Sequence, residues 1–378
     1  MINRRDALKV GLKTASSLAI VSTTAYTSST AAMSNSPVSP SDTIRTRLTR
    51  HYGLQHPVIC AGMAFVCDTP ALCIAVCKAG GIGSLSGSLL SPATLKSHIQ
   101  EIKSATTAPF HINFLSPFIQ PAQVQTCVEE NVPIISFHWG LPDSSVLSQV
   151  KNANIAIWAQ VGTVSAAKEA LEAEVDAIVV QGGEAGGHNY GGMPLLALFS
   201  AIKSVVPESM LLFAAGGISD GLTAAAALVA GADGVWIGTR LVATREANAH
   251  DEYKKRLVRA SGEDTILTSV FGPENPTFNP VRVIKNETVS QWHDRVDEIP
   301  KDRSAFAPIG TSLFGEQQIP LKEFDSIVPV PQTTGDFDKM PMLAGQGVGL
   351  VRTIPSVQTA MEDMMSAAAE AVMAMDAS

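Results

Sequence analysis

Two stretches near the middle of the chain decide the fold: Met210-Leu-Leu-Phe-Ala-Ala-Gly-Gly-Ile218 and Gly234-Val-Trp-Ile-Gly-Thr-Arg240. Each is a short apolar run that ends in glycine. Between them, Gly221 to Ala230 is nearly all Ala and Leu, as expected of a helix packed tightly on one face. Run, glycine turn and helix together make one βα unit. Working back toward the N-terminus, the same unit recurs. Further strand-length runs are Pro57 to Ala61, Gly81 to Leu85, Phe110 to Leu115, Ile134 to His138, Ile155 to Gln160 and Ala177 to Gln181. Segments with helical spacing and polar outer faces separate them, for example Pro92 to Ala105, Pro121 to Asn131 and Ser165 to Glu174. Eight such units predict an α/β fold, a parallel (β/α)8 TIM barrel. An open doubly wound sheet would need fewer units and usually a GxGxxG turn after its first strand. Here the first run ends in Ala61-Gly62-Met63-Ala64 instead.

The chain has 378 residues, long for an average domain but normal for one barrel with insertions. Residues 41–378 are read as that barrel. From about 250 to 340 the repeat breaks, and the sequence turns to Pro, Asn, Asp and aromatics. This segment is read as an insertion or small lid after the eighth strand. The helix from Val357 to Ala374, rich in Met and Ala, reads as core packing. Residues 1–40 are different in kind. Arg4-Arg5, an apolar stretch from Val10 to Val21 and a Ser/Thr/Ala zone up to Ala31-Ala32 form a leader resembling a twin-arginine export signal. That predicts export to the periplasm in a folded, loaded state; the alternatives are a disordered or organellar leader, and otherwise a cytoplasmic protein. The apolar stretch is too short for a stable membrane span.

The net charge of −8 and the lack of a Lys/Arg run after the leader argue against nucleic acid as a partner. A homodimer is compatible with this composition. Four of the five cysteines fall between Cys60 and Cys77, yet without the CxxC pairs of a zinc site, and Cys73 and Cys77 lie in an Ala-rich helical pattern. No metal site is expected, because Asp and Glu are also sparse at the strand ends. GxSxG, Walker A and HExxH motifs are lacking. With no metal and no evident nucleophile, an organic cofactor is the natural source of chemistry.

Barrel enzymes place function at the C-terminal ends of their strands. Glycines there let backbone N–H groups approach an anion with no Cβ between, and the next helix N-terminus adds free donors. Gly216-Gly217 after the seventh strand and Gly238-Thr239 after the eighth are therefore the candidate phosphate cradle. His188 follows Glu184-Ala-Gly-Gly187 and is expected in a flexible loop at the functional rim. With an ordinary pKa near 6.5 it suits proton abstraction, and it is the candidate base. Of the strand histidines, His138 is expected to line the pocket and His111 to point outward or pack structurally.

Three strings carry a family likeness: Gln181-Gly-Gly-Glu-Ala-Gly-Gly-His188, Ala214-Ala-Gly-Gly-Ile-Ser-Asp-Gly221 and Gly231-Ala-Asp-Gly-Val-Trp-Ile-Gly-Thr-Arg240. The chain resembles the nitronate monooxygenases, also called 2-nitropropane dioxygenases, from about residue 45 to Gly345-Gln-Gly-Val-Gly-Leu350. The Glu-Ala-Gly-Gly-His string is the most specific of these; related FMN barrels share the others. The resemblance implies non-covalent FMN in contact with Ala61, Gly62, Met63, Asn113, Gln181, Gly186, Gly217, Gly238 and Thr239. It implies that His188 takes the proton α to a nitro group. The reaction would be O2-dependent conversion of an alkyl nitronate or nitroalkane to a carbonyl compound and nitrite. The alternative within the same fold is an NAD(P)H-dependent FMN reductase of the enoyl-ACP or quinone type. Two positions depart from the family pattern: Gly62 stands where proline is usual, and Trp236-Ile237 where Gln-Met is usual.

Overall fold

The structure, a computed structural model, describes residues 44–314 and 317–376. Residues 1–40, read above as an export leader, lie outside the described residues. Nine strands come first in the chain: β1 (Val58–Cys60), β2 (Gly83–Ser86), β3 (Phe110–Leu115), β4 (Ile134–His138), β5 (Ala156–Val161), β6 (Ala177–Gln181), β7 (Gly187–His188), β8 (Leu211–Ala215) and β9 (Gly234–Ile237). All but β7 form one parallel sheet in the order β1-β9-β8-β6-β5-β4-β3-β2. A parallel bridge between Ile59 and Ile82 brings its two ends together, with Cys60 N–H donating to Ile82 O and Ile82 N–H to Val58 O, each at 2.9 Å. The eight predicted strands are these eight, and the sheet is a (β/α)8 barrel.

Both faces of the barrel strands are covered, which is why they read as continuous apolar runs rather than alternating ones. All of β6 is buried, for instance. One set of side chains points inward, among them Ile59, Trp158, Val179, Phe213 and Trp236. The alternating set, including Val58, Ile112, Ile135 and Val180, packs under the helices. At the N-terminal end of the barrel, helix α1 (Arg47–Tyr52) inserts Leu48 into the inner cluster. The Arg47 guanidinium clamps it by donating from Nε and Nη2 to the Asp233 carboxylate, at 2.7 and 2.6 Å.

Seven helices alternate with the strands: α2 (Pro70–Lys78), α3 (Pro92–Ala105), α4 (Pro121–Glu129), α5 (Ser144–Asn152), α6 (Val164–Glu172), α7 (Leu195–Lys203) and α8 (Gly221–Val229). Local chemistry sets their starts. Pro occupies the first turn of α2, α3 and α4, and Ser91, Thr163 and Asp220 accept backbone N–H groups at the starts of α3, α6 and α8. After β9 come a short helix α9 (Thr239–Val242), then α10 (Asp251–Arg259), α11 (Glu287–Trp292) and the long α12 (Val357–Asp376). Helix α12 packs chiefly on α8 and also on α2. It fills the eighth helical position of the barrel, and Met361, Met364 and Met365 are buried in the core, as its Met- and Ala-rich composition suggested.

The segment before α12 is the break seen in the sequence, and it has strands of its own. β10 (Thr265–Thr268) and β11 (Val281–Ile284) form an antiparallel pair, and β11 also pairs with β7. β12 (Gly310–Phe314), β13 (Gln317–Leu321) and β14 (Thr334–Gly335) form a second small sheet. Among the described residues no helix is long and apolar enough to cross a membrane.

Candidate active site

The C-terminal ends of the barrel strands open into a cavity of about 640 Å³. Ten of the eleven residues singled out from sequence line it: Ala61, Gly62, Met63, Gln181, Gly186, His188, Gly216, Gly217, Gly238 and Thr239. The eleventh, Asn113, is buried just beneath. Its Nδ2 donates to Ser136 Oγ at 2.9 Å, and its side chain lies over the backbone of Gly62. A Cβ at position 62 would fall 2.1 Å from Asn113 Cγ. That contact gives a physical reason for glycine where the family usually has proline.

The glycines expected to form a cradle stand where the strand topology puts them, after β8 and β9. After β8, Gly216 and Gly217 take φ of +112° and +70°, a region that L side chains rarely adopt. After β9, Gly238 caps α9, and Thr239 Oγ1 accepts from Gly345 N–H at 3.0 Å, tying the returning chain to the site. At the end of β6, Gln181 Nε2 donates to His188 O at 3.0 Å, whereas Gln181 Oε1 is buried without a partner. Such an orphan acceptor costs free energy unless a donor fills the space beside it.

His188 is not in a flexible loop. It lies in β7, paired with Val281 of β11, because the backbone of the inserted segment supplies a strand edge for it. Its ring stacks on Phe278 with centroids 3.8 Å apart and meets the edge of Trp139 at 6.0 Å. Burial, with a smaller contribution from neighbouring His138, lowers its pKa to about 3. The ring is therefore neutral at physiological pH and can accept a proton. His138 also lines the cavity. Its pKa is lowered to about 4 by burial, partly offset by the His188 backbone, and its Nδ1 has no partner.

His111 packs structurally, as one of the two expectations had it, but it points into the barrel rather than outward. It bridges Ser136 Oγ at 2.8 Å and Cys60 O at 2.9 Å, and sits 4.7 Å from the Trp236 ring. Inward position follows from strand alternation: Ile112, its neighbour, takes the outer face. Glu184 of the signature string has a structural task. Both its carboxylate oxygens accept from Leu195 N–H at the start of α7, at 3.0 and 2.9 Å.

Several lining residues escaped the sequence reading. Gln160 stands near the end of β5, where a polar residue closing an apolar run was the available signal. Phe278, Glu274, Phe314 and Asp325 come from the inserted segment, which has no periodicity to place them. All five cysteines are buried thiols. Among the described residues no group of three or more His, Cys, Asp or Glu is arranged to hold a metal ion.

Fold and site together define a (β/α)8-barrel enzyme in which glycine-rich strand ends and a neutral histidine face one cavity. The nitronate monooxygenase profile matches residues 45–123 and 117–367, and the chain belongs to that family. A probable nitronate monooxygenase of Staphylococcus saprophyticus is 28% identical over 304 residues, covering 68% of this chain and 83% of its own. A (3aS,4S,5R,7aS)-5-hydroxy-7a-methyl-1-oxo-octahydro-1H-indene-4-carboxyl-CoA dehydrogenase of Rhodococcus jostii is 34% identical over 239 residues, 63% of this chain and 66% of its own. Among solved structures, FabK of Thermotoga maritima superposes with a TM-score of 0.71 at 29% identity, covering 89% of this chain and 99% of that one. The protein is thus an oxidoreductase.

Proposed function

We propose that the protein is an FMN-dependent oxidase of alkyl nitronates and nitroalkanes, using O2 and yielding a carbonyl compound and nitrite. The observation that carries this reading is one cavity lined together by a neutral His188, the unpartnered Gln181 Oε1 and the glycine-rich ends of β8 and β9.

The residues fit a flavin mononucleotide. Backbone N–H groups around Gly216, Gly217, Gly238 and Thr239 would hold its phosphate. Gln181 Oε1 would accept an N–H of the ring, which removes the orphan. Ala61 to Met63 would lie along it, with Asn113 supporting them from below. When bound, the flavin supplies the redox chemistry that no side chain here can. The protein's own part is positioning and proton handling. His188 is held by β7 and Phe278, and as a free imidazole it takes the α-proton of a neutral nitroalkane. A nitronate arrives without that proton and does not need the base. The inserted segment, with Phe278 and Phe314, acts as a lid that keeps water from the reacting carbon. The twin-arginine-like leader supports export of the folded, flavin-loaded protein.

A second reading, an NAD(P)H-dependent reductase, is favoured by the Rhodococcus relative, a dehydrogenase. Against it, no Lys or Arg stands among the described lining residues to meet a nicotinamide nucleotide's phosphates. Anaerobic mixing separates the two. The yellow protein should bleach with an alkyl nitronate alone and stay yellow with NADH or NADPH. The reverse would move it to the reductases, and a colourless preparation would remove the flavin.

A further inference from the structure

The outer part of the cavity has a composition that its inner part does not explain. Phe65, Phe118, Phe278 and Phe314 line it, in two pairs: Phe65 with Phe314, centroids 6.1 Å apart, and Phe118 with Phe278, 5.2 Å apart. Phe118 and Phe314 stay 43% and 45% exposed, unusual for rings beside a cavity that could cover them. Phe65 is also held at φ +69°, where a bulky residue is strained. Two hydrogen bonds fix it there: its N–H donates to Asp68 Oδ1 at 2.9 Å, and its O accepts from Asn248 Nδ2 at 2.8 Å. Strain of this kind persists where the surroundings over-determine a residue, often at a ligand clamp.

The only ionisable carboxyl groups in this outer wall, among the described residues, are Glu274 and Asp325. Arg303 pairs with Glu274 at 2.7 Å but does not line the cavity. The Asp325 carboxylate accepts from Lys322 N–H at 2.7 Å. Among the described residues no Lys or Arg lines the cavity, and Arg303 is engaged by Glu274 from behind, so an incoming carboxylate would meet two carboxyl groups and no cation free to pair with it.

We propose that the enzyme selects nitronates and nitroalkanes whose far end is a bulky, uncharged aromatic or hydrocarbon group. Phe65, Phe118 and Phe314 receive that group, and Glu274 and Asp325 turn away substrates that carry a carboxylate there. The inference rests on the nitronate reading and names its substrate class. A short acidic nitronate would be a poor substrate for this chain.

Nitrite release in air tests it, with three nitronates: those of 3-phenyl-1-nitropropane, nitroethane and 3-nitropropionate. The phenyl substrate should exceed nitroethane in kcat/KM by on the order of tenfold or more, and the carboxylate should be the poorest. Phe314→Ala should lower the phenyl-to-ethyl ratio severalfold. Glu274→Gln with Asp325→Asn should raise the carboxylate relative to nitroethane by roughly tenfold. A carboxylate preferred by the wild type, or ratios that neither variant moves, would overturn the proposal. Binding is read separately, as perturbation of the visible spectrum by 3-phenylpropanol and by succinate. If no nitronate yields nitrite, the functional reading fails. Tight 3-phenylpropanol and absent succinate binding would then still support the selectivity, and the opposite order would refute it too.

Discussion

The cavity has two walls, and they are built on different principles. The inner wall is backbone: Gly216 and Gly217 after β8, Gly238 after β9, with Gln181 at the end of β6. The outer wall is side chain: Phe278, Phe314, Glu274 and Asp325 from the inserted segment, and Phe118 from the β3–α4 connection. On the proposed function, the inner wall would hold what every substrate shares, a cofactor phosphate and ring. The outer wall handles what distinguishes one substrate from another. His188 sits at the seam, with its backbone on β7 paired to the inserted β11 and its carbonyl held by Gln181 of the barrel. If this division is right, lesions in the two walls should fail in different ways.

The largest effect is expected at the seam. His188→Asn should leave flavin bound and nitronate turnover within severalfold of wild type. Activity on neutral nitroalkanes should fall by about 10²- to 10⁴-fold, the range for losing a positioned general base. Steady-state nitrite assays on matched nitronate and nitroalkane pairs read this directly. Equal loss on both substrates would mean that His188 does more than take a proton.

An inner-wall lesion should instead cost the cofactor. Gly217 has φ +70°, and the nearest side-chain atom to an added Cβ is Glu184 Cβ at 3.3 Å. Gly217→Val places a β-branched residue in that region, at about 1–3 kcal/mol of strain. Flavin affinity should drop by about ten- to a hundredfold, since each tenfold corresponds to about 1.4 kcal/mol. The flavin-to-protein ratio after dialysis measures it, with circular dichroism reporting that the barrel persists. A variant that keeps its full flavin would place the phosphate elsewhere.

The two walls also differ in how legible they were. A barrel strand fixes where its C-terminal residue will stand, so a glycine or glutamine there can be read from position alone. Gln181, Gly216 and Gly238 were found in that way. Asn113, which the resemblance implies touches the flavin, lies buried against Gly62 beneath the cavity lining, a depth that position in a strand does not give. His188 was found as a residue and misplaced as a loop, since its strand partner Val281 is far away in sequence. The inserted segment gave no such handles. Its strands are short and pair with distant edges, so nothing periodic foretold that Phe278 would reach His188 or that Asp325 would face the cavity.

The smallest effect tests whether the outer wall tunes the inner chemistry. Phe278 covers one face of the His188 ring at 3.8 Å, and burial is the main cause that lowers this histidine to about 3. Phe278→Leu keeps an apolar residue but loses the stacked ring, a contact worth about 0.5–1.5 kcal/mol. The nitroalkane kcat/KM should fall only a fewfold. Its acid limb should move more tellingly. A base with a lowered pKa stays competent as pH falls, until protonation overtakes it near its own pKa. In the wild type, a substrate that remains neutral should therefore keep its rate down toward pH 3 to 4. Letting water reach the ring favours the imidazolium, so the limb should shift upward toward the ordinary histidine value of about 6.5. A limb that moves would show the inserted segment setting the strength of the base that Phe278 covers. A limb that stays would assign that burial to the barrel side, including His138, and leave the inserted segment with selectivity alone.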